Sequence, residues 1–195
     1  MMRGIVVFSL LISLSAEADI RARPLEWAQP MLGSELANFY RLSNEVYRSK
    51  QPDDEDMSAL EAMGMRAILN LREHHSDEDE ARGNRLKLYR VPVNAGDIDD
   101  DFVVQALQVI AESEKPILIH CWHGSDRTGV VAAMYRMVFQ EWTREQAIDE
   151  LVNGGYGYHA NFYPNIERYL QTVDITAIKQ KVGVGLDTAT AIRPQ

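Results

Sequence analysis

Residues 116–140 read PILIHC, then WHGSDR, then TGVVAAMYRMVFQ. An apolar run too short for a helix is followed, after a polar loop, by an apolar run of helical length. The first reads as a short buried strand (116–121) and the second as a buried helix (128–140). The rest of the chain repeats the alternation. EVYRS (45–49), RAILNL (66–71) and LKLYRVPV (86–93) read as strands, and Pro92 sets the end of pairing in the last. Between them, a helix starts at Pro52-Asp53-Asp54, runs through Leu60 and Met63, and stops at Gly64. A weaker helix is expected over 76–86. DDFVVQALQVIAESE (100–114) places Val103, Leu107, Ile110 and Ala111 on one helical face. Strands alternating with helices mean an α/β fold with a mainly parallel sheet covered on both sides.

Two more helices follow. TREQAIDELVNGG (143–155) has Thr143 as N-cap with Gln146 three residues on, and Gly154-Gly155 at its end. FYPNIERYLQTVDITAIKQ (162–180) reads as a final helix with Pro164 in its first turn. Residues 181–195 lack an apolar period and are expected to be a loose tail. The reading therefore divides the chain into a leader (1–18), a lead-in broken by Pro24 and Pro30 (19–44), one domain (45–180) and the tail.

At 195 residues and 46% hydrophobic content the chain can bury one real core. With 29 acidic against 20 basic residues its formal net charge is −9, which argues against general binding to nucleic acid or anionic membranes. It also looks a poor start for holding phosphate. Cys121 is the only cysteine, so the chain can form neither an internal disulfide nor a Cys₂His₂ zinc site.

The N-terminus reads as an export signal. Arg3 is the basic segment, Gly4 to Leu14 an apolar run too short to span a bilayer, and Ala16-Glu17-Ala18 a small-x-small cleavage pattern. Cleavage after Ala18 is expected. It removes one base and one acid, leaves the charge at −9, and implies a soluble protein in the periplasm or outside the cell.

The chemistry lies in the loop between strand and helix. A turn from a strand into a helix N-terminus aims backbone N–H groups into one concavity, at the positive end of the helix dipole. Such a nest holds anions. Gly124 permits the tight turn, and Arg127 can fork two oxygens of a tetrahedral dianion. The same field favours a thiolate at Cys121, the attacking species. Thr128 can donate its hydroxyl to the sulfur as it leaves. His120 is read as a support for the loop. Trp122, His123, Gly124, Ser125 and Asp126 complete the phosphate-binding loop through their backbone amides. Asp126, an acid beside a dianion, is expected to point away and brace a neighbouring loop.

These residues resemble the HCxxGxxR[ST]G signature of the cysteine-dependent protein tyrosine and dual-specificity phosphatases. His120, Cys121, Gly124, Arg127, Thr128 and Gly129 occupy all six defining positions. EVYRSKQP, RAILNLRE and NGGYGYH…NIERYL extend the likeness over roughly 45–175, toward a bacterial, often exported, dual-specificity branch. The resemblance implies a central four- or five-stranded mixed, mainly parallel sheet flanked by helices. It also implies a two-step reaction through a phosphocysteine that water hydrolyses, with no metal and no organic cofactor. The substrate implied is a phosphoprotein, carrying phosphotyrosine and in the dual-specificity case phosphoserine or phosphothreonine.

The family takes a proton for the leaving group from an Asp on a separate loop. Here that loop is VPVNAGDIDDDF (91–102). Asp97, at its apex, is the favoured general acid, with Asp99 and Asp100 as alternatives. Asp99, Asp100 and Asp101 also suit the cap and first turn of the next helix. Arg72 matches a family position near the site, or equally serves as a structural arginine paired with an acid. His74-His75 beside SDEDE reads as solvated surface rather than a metal site, and His159 as a packing residue of its loop.

Rival readings remain. Lysines typical of loops that bind inositol phosphates and phosphoinositides are absent here. A rhodanese-like or arsenate-reductase-like enzyme also uses an anion-cradling cysteine loop, but Thr128-Gly129 and an Asp-bearing loop favour the phosphatase. A non-catalytic phosphoprotein-binding module is expected to lack Cys121 or Arg127, and both are present. The acids concentrate in clusters at 53–56, 77–80 and 97–101, read as helix starts, solvated faces and the acid loop. A charge of −9 thus describes the surface. It still disfavours polyanionic substrates and strongly acidic phosphoproteins.

Overall fold

The computed structural model describes residues 23–184, so the leader and most of the tail lie outside the described residues. Six strands form one sheet: β1 (Gln29–Pro30), β2 (Tyr40–Arg41), β3 (Val46–Ser49), β4 (Ala67–Arg72), β5 (Lys87–Val93) and β6 (Ile117–His120). Their order is β1-β2-β3-β6-β4-β5. β3, β6, β4 and β5 run parallel, and β1 and β2 add antiparallel pairs at one edge. The α/β class and the parallel core are those expected from the alternation. The strand count is six rather than four or five, because the lead-in contributes two strands of two residues each. Segments that short carry no alternation to read. Pro92 sits within β5 and is tolerated because β5 is the other edge, paired only with β4.

Six helices cover the sheet: α1 (Asp54–Ala62), α2 (Asp100–Glu112), α3 (Asp126–Phe139), α4 (Arg144–Asn153), α5 (Pro164–Thr172) and α6 (Ile175–Val182). The period of two along the strands divides the core. Leu69, Leu71, Ile117 and Ile119 face the cluster built by α2 to α6, while Ile68 and Leu118 face Met57 and Leu60 of α1 with Leu36 and Phe39 of the lead-in. α3 is the central helix: every residue from Thr128 to Val138 is buried. That is why its sequence is apolar all round.

Two expected helices differ. Residues 76–86 form successive turns, with Gly83 at φ 90°. Asp77, read from sequence as part of a solvated face, is buried and faces inward. The final helix expected over 162–180 is two helices, because Asp174 breaks off as a new N-cap and accepts a hydrogen bond from Ala177 N at 3.0 Å. The capping boxes at Asp53/Asp56 and Thr143/Gln146 are both formed.

Candidate active site

Cys121 follows the last residue of β6 and is 2% exposed. The loop after it turns at Gly124, whose φ is 72°. A Cβ there would sit 2.4 Å from the Ser49 carbonyl oxygen, so both the turn and the close approach to β3 demand glycine. α3 begins at Asp126, two residues before the apolar run, with Ser125 as N-cap. Ser125 makes no side-chain cap. Its hydroxyl instead donates to the Tyr156 carbonyl at 2.6 Å, leaving the first-turn amides of α3 without a side-chain cap acceptor.

His120 is fully buried, and its Nε2 lies 2.9 Å from Asp77 Oδ2. Asp77 Oδ1 accepts from Asn70 Nδ2 at 2.8 Å and from Gln51 Nε2 at 3.0 Å. Burial opposes ionisation of Asp77, but the His120 bond and charge outweigh it and hold the carboxyl below its ordinary value. His75, Asp77 and Glu80 each bring a ligand-type atom within 4.8 Å of the others, although Asp77 already serves three donors.

Arg127 is half-buried, with Nη1 donating to the Val93 carbonyl at 3.2 Å. Its Nε and the Thr128 hydroxyl are buried with no hydrogen-bond partner among the described residues. Asp126 is turned aside: its two oxygens accept from His159 N and Nδ1, each at 2.9 Å. A cavity of about 300 Å³ is lined by both Cys121 and Arg127, together with Trp122, His123, His159 and Phe162. Trp122 is 60% and Phe162 80% exposed.

The acid loop separates its candidates. Asp99 caps α2 by accepting from Phe102 N at 2.8 Å, and Asp100 accepts from Tyr169 Oη at 3.0 Å. Asp97 is exposed and its carboxylate has no hydrogen-bond partner among the described residues. Asn165 Nδ2 holds the loop at the Ala95 carbonyl, 2.9 Å away.

Arg48 and Asn38 contribute without having been singled out from sequence. Arg48, inside β3, is 1% exposed and donates from Nη2 to the Gly124 carbonyl at 2.7 Å. Its guanidinium lies 3.7 Å from the centroid of the Tyr156 ring. No carboxylate lies within ion-pair distance of it among the described residues, and burial lowers its pKa from the ordinary value. The signal available was an arginine in the middle of a buried strand. Asn38, in left-handed backbone at φ 54°, donates from Nδ2 to the carbonyls of His123 (2.7 Å) and Tyr156 (3.0 Å). Arg72 stands at the site rather than in an ion pair: its guanidinium is 4.6 Å from the Trp122 ring centroid, and Nη1 donates to Gln51 Oε1 at 3.2 Å. Burial, and after it the charge of Arg127, lowers the Arg72 pKa.

Residues 35–181 match the model of the tyrosine phosphatase family. The chain is 30% identical over 176 residues to the dual specificity protein phosphatase TpbA of Pseudomonas aeruginosa, covering 88% of this chain and 78% of that one. It is also 30% identical over 155 residues to the inositol diphosphatase DSP3 of Arabidopsis thaliana, covering 74% and 73%. The crystal structure of TpbA with phosphotyrosine superposes with a TM-score of 0.74 at 29% identity, over 84% of this chain and all of that one. The catalytic domain of the Saccharomyces cerevisiae PP-IP phosphatase Siw14 gives 0.64 at 26%, over 80% and 93%. The likeness in sequence and fold thus spans most of each relative's length, and the chain belongs to the tyrosine phosphatase family.

Proposed function

We propose that this phosphatase hydrolyses phosphotyrosine in proteins, and phosphoserine or phosphothreonine as a dual-specificity enzyme, through a phosphocysteine at Cys121. The observation that carries the reading is that Cys121 and Arg127 line one cavity at the N-terminus of α3. The thiolate attacks phosphorus in line, forming the S–P bond as the bond to the substrate oxygen breaks. Arg127 and the amides of residues 122–127 take the non-bridging oxygens and supply the positive field. The leaving oxygen accepts its proton from Asp97, the one candidate whose carboxylate is not engaged as a cap or by Tyr169. Water then attacks the phosphocysteine with Asp97 as base. The sulfur departs as thiolate while the Thr128 hydroxyl, buried and otherwise unpartnered, donates to it. His120, braced by Asp77, fixes the start of the loop.

The TpbA complex with phosphotyrosine supports this substrate class. The inositol diphosphatase relatives support a second reading. Against it stands a loop whose variable positions are Trp122, His123, Ser125 and Asp126, with no lysine among them. The leader at 1–18 supports export. The test is hydrolysis of p-nitrophenyl phosphate and of phosphotyrosyl peptides in the presence of a metal chelator. Turnover by the wild type and its loss in Cys121→Ser are expected; full turnover by the serine variant overturns the mechanism.

A further inference from the structure

Trp122 divides two cavities. On the side of the catalytic cysteine lies the pocket already described. On the other lies a cavity of about 530 Å³ that shares Trp122 and His123 as its rim and is lined by Lys50, Arg72, Asn38 and Gln51. This second lining has two cations and no carboxylate. In a chain with 29 acids against 20 bases, that is a local reversal of sign beside the reacting centre.

The two cations are held differently. Arg72 has no carboxylate partner among the described residues. The Trp122 ring beneath it and the Gln51 amide oxygen fix its plane, so its remaining N–H donors are preset for an anion. Gln51 cannot swing away, because its Nε2 is committed to Asp77 and the Pro52 carbonyl. Lys50 reaches Asp56 at 3.7 Å, with 36% of its side chain exposed. Asp56 is 15% exposed, but at 3.7 Å the contact is long and the lysine end is open to solvent, so the ammonium is free to share itself with a ligand.

We infer that the cavity bounded by Lys50, Arg72 and Trp122 binds a second anionic group of a peptide substrate, a carboxylate or a second phosphate close in sequence to the phosphorylated residue. The inference rests on the phosphatase reading above and names the substrate class within it. An extended peptide advances ~3.3 Å per residue, so a side chain near the phosphotyrosine can pass the exposed edge of Trp122 while the phosphate sits over Cys121. The overall charge of −9 argues for neutral or basic partners; this cavity argues for acidic ones at one position.

The experiment compares kcat/KM for three phosphotyrosyl peptides of equal length. Glutamates, alanines or lysines flank the phosphorylated residue, and a fourth peptide carries a neighbouring phosphothreonine. At low salt the wild type is expected to prefer the glutamate and doubly phosphorylated peptides over the alanine peptide by about fivefold to tenfold, less as salt rises. Lys50→Glu should bring the glutamate-to-alanine ratio to one or below. Arg72→Gln should lower it at least threefold. A ratio taken within each variant is unaffected by a general loss of activity or folding. A wild-type ratio near one, with good turnover of the alanine peptide, overturns the subsite alone. No turnover of any peptide overturns the phosphatase reading and the subsite with it. A higher kcat/KM for an inositol polyphosphate than for the acidic peptides overturns the assignment to peptide.

Discussion

His120 Nε2 and Asp77 Oδ2 lie 2.9 Å apart, in side chains 0% and 2% exposed. The residue that precedes the nucleophile is therefore anchored to a segment that reads in sequence as solvent-facing. Asp77→Asn keeps the size but loses the charge facing His120. It should cost about 1–3 kcal/mol in urea unfolding. It should also lower kcat on a phosphotyrosyl peptide by more than the change in folded fraction explains. An unchanged kcat at full folding would show that His120 needs no brace.

Asp97→Asn should lower kcat on a phosphotyrosyl peptide about 10²-fold or more, the usual contribution of a positioned acid. Asp99→Asn should be nearly silent, because asparagine caps a helix as well as aspartate does. Asp99→Ala should lose about 1 kcal/mol of stability at full activity per folded molecule. A large loss of kcat in Asp99→Asn with little loss in Asp97→Asn would move the acid to Asp99.

Arg48 holds the Gly124 carbonyl with a buried guanidinium that no carboxylate neutralises among the described residues. Arg48→Met should therefore separate activity from stability. A buried charge without an ion-pair partner is costly to keep, so its removal should change the unfolding free energy by no more than about 2 kcal/mol. Turnover should fall at least tenfold as the loop loses its tether and a nearby positive charge. Urea melts and steady-state kinetics on the same preparation decide it; equal losses in both would make Arg48 merely structural.

Glu150 joins four parts of the fold. It accepts from Arg136 Nε at 2.8 Å and Nη2 at 3.0 Å, from Ala28 N at 2.6 Å and from Tyr156 Oη at 3.0 Å. Burial opposes its charge, but the Arg136 bonds prevail and hold the carboxyl below the ordinary glutamate value. A carboxylate depressed on folding stabilises the protein above its unfolded pKa of about 4.3 and loses that contribution as pH falls through the lower folded value. Glu150→Ala should cost about 3–5 kcal/mol by leaving Arg136 buried and unpaired. It should also flatten the decline in thermal stability below about pH 4.5, measured by calorimetry across pH 3–7.

What was legible in the sequence follows a physical line. PILIHC and the run after Thr128 fold as read because each is a continuous apolar run whose length alone separates strand from helix, and the six signature residues needed only their spacing. Asp126 was read as turned aside because a dianion would repel it, and His159 holds it there. The lead-in strands were illegible because pairs such as Gln29–Pro30 have no period; the sheet edge selects them. Asp77 was misplaced because an acid among acids reads as solvated until its partners, 26 and 43 residues away, are known. Arg48 follows the same rule, and Arg72, read equally as a site residue or a structural arginine, stayed undecided for the same reason: what they do depends on a tyrosine and a tryptophan remote in sequence.

Asn38 bonds the carbonyls of His123 and Tyr156, 85 and 118 residues further along. The wall of the site thus joins a segment made early to one made near the end. Backing the thiol is thus a long-range task, met only when residues 38, 123 and 156 are brought together by the finished fold.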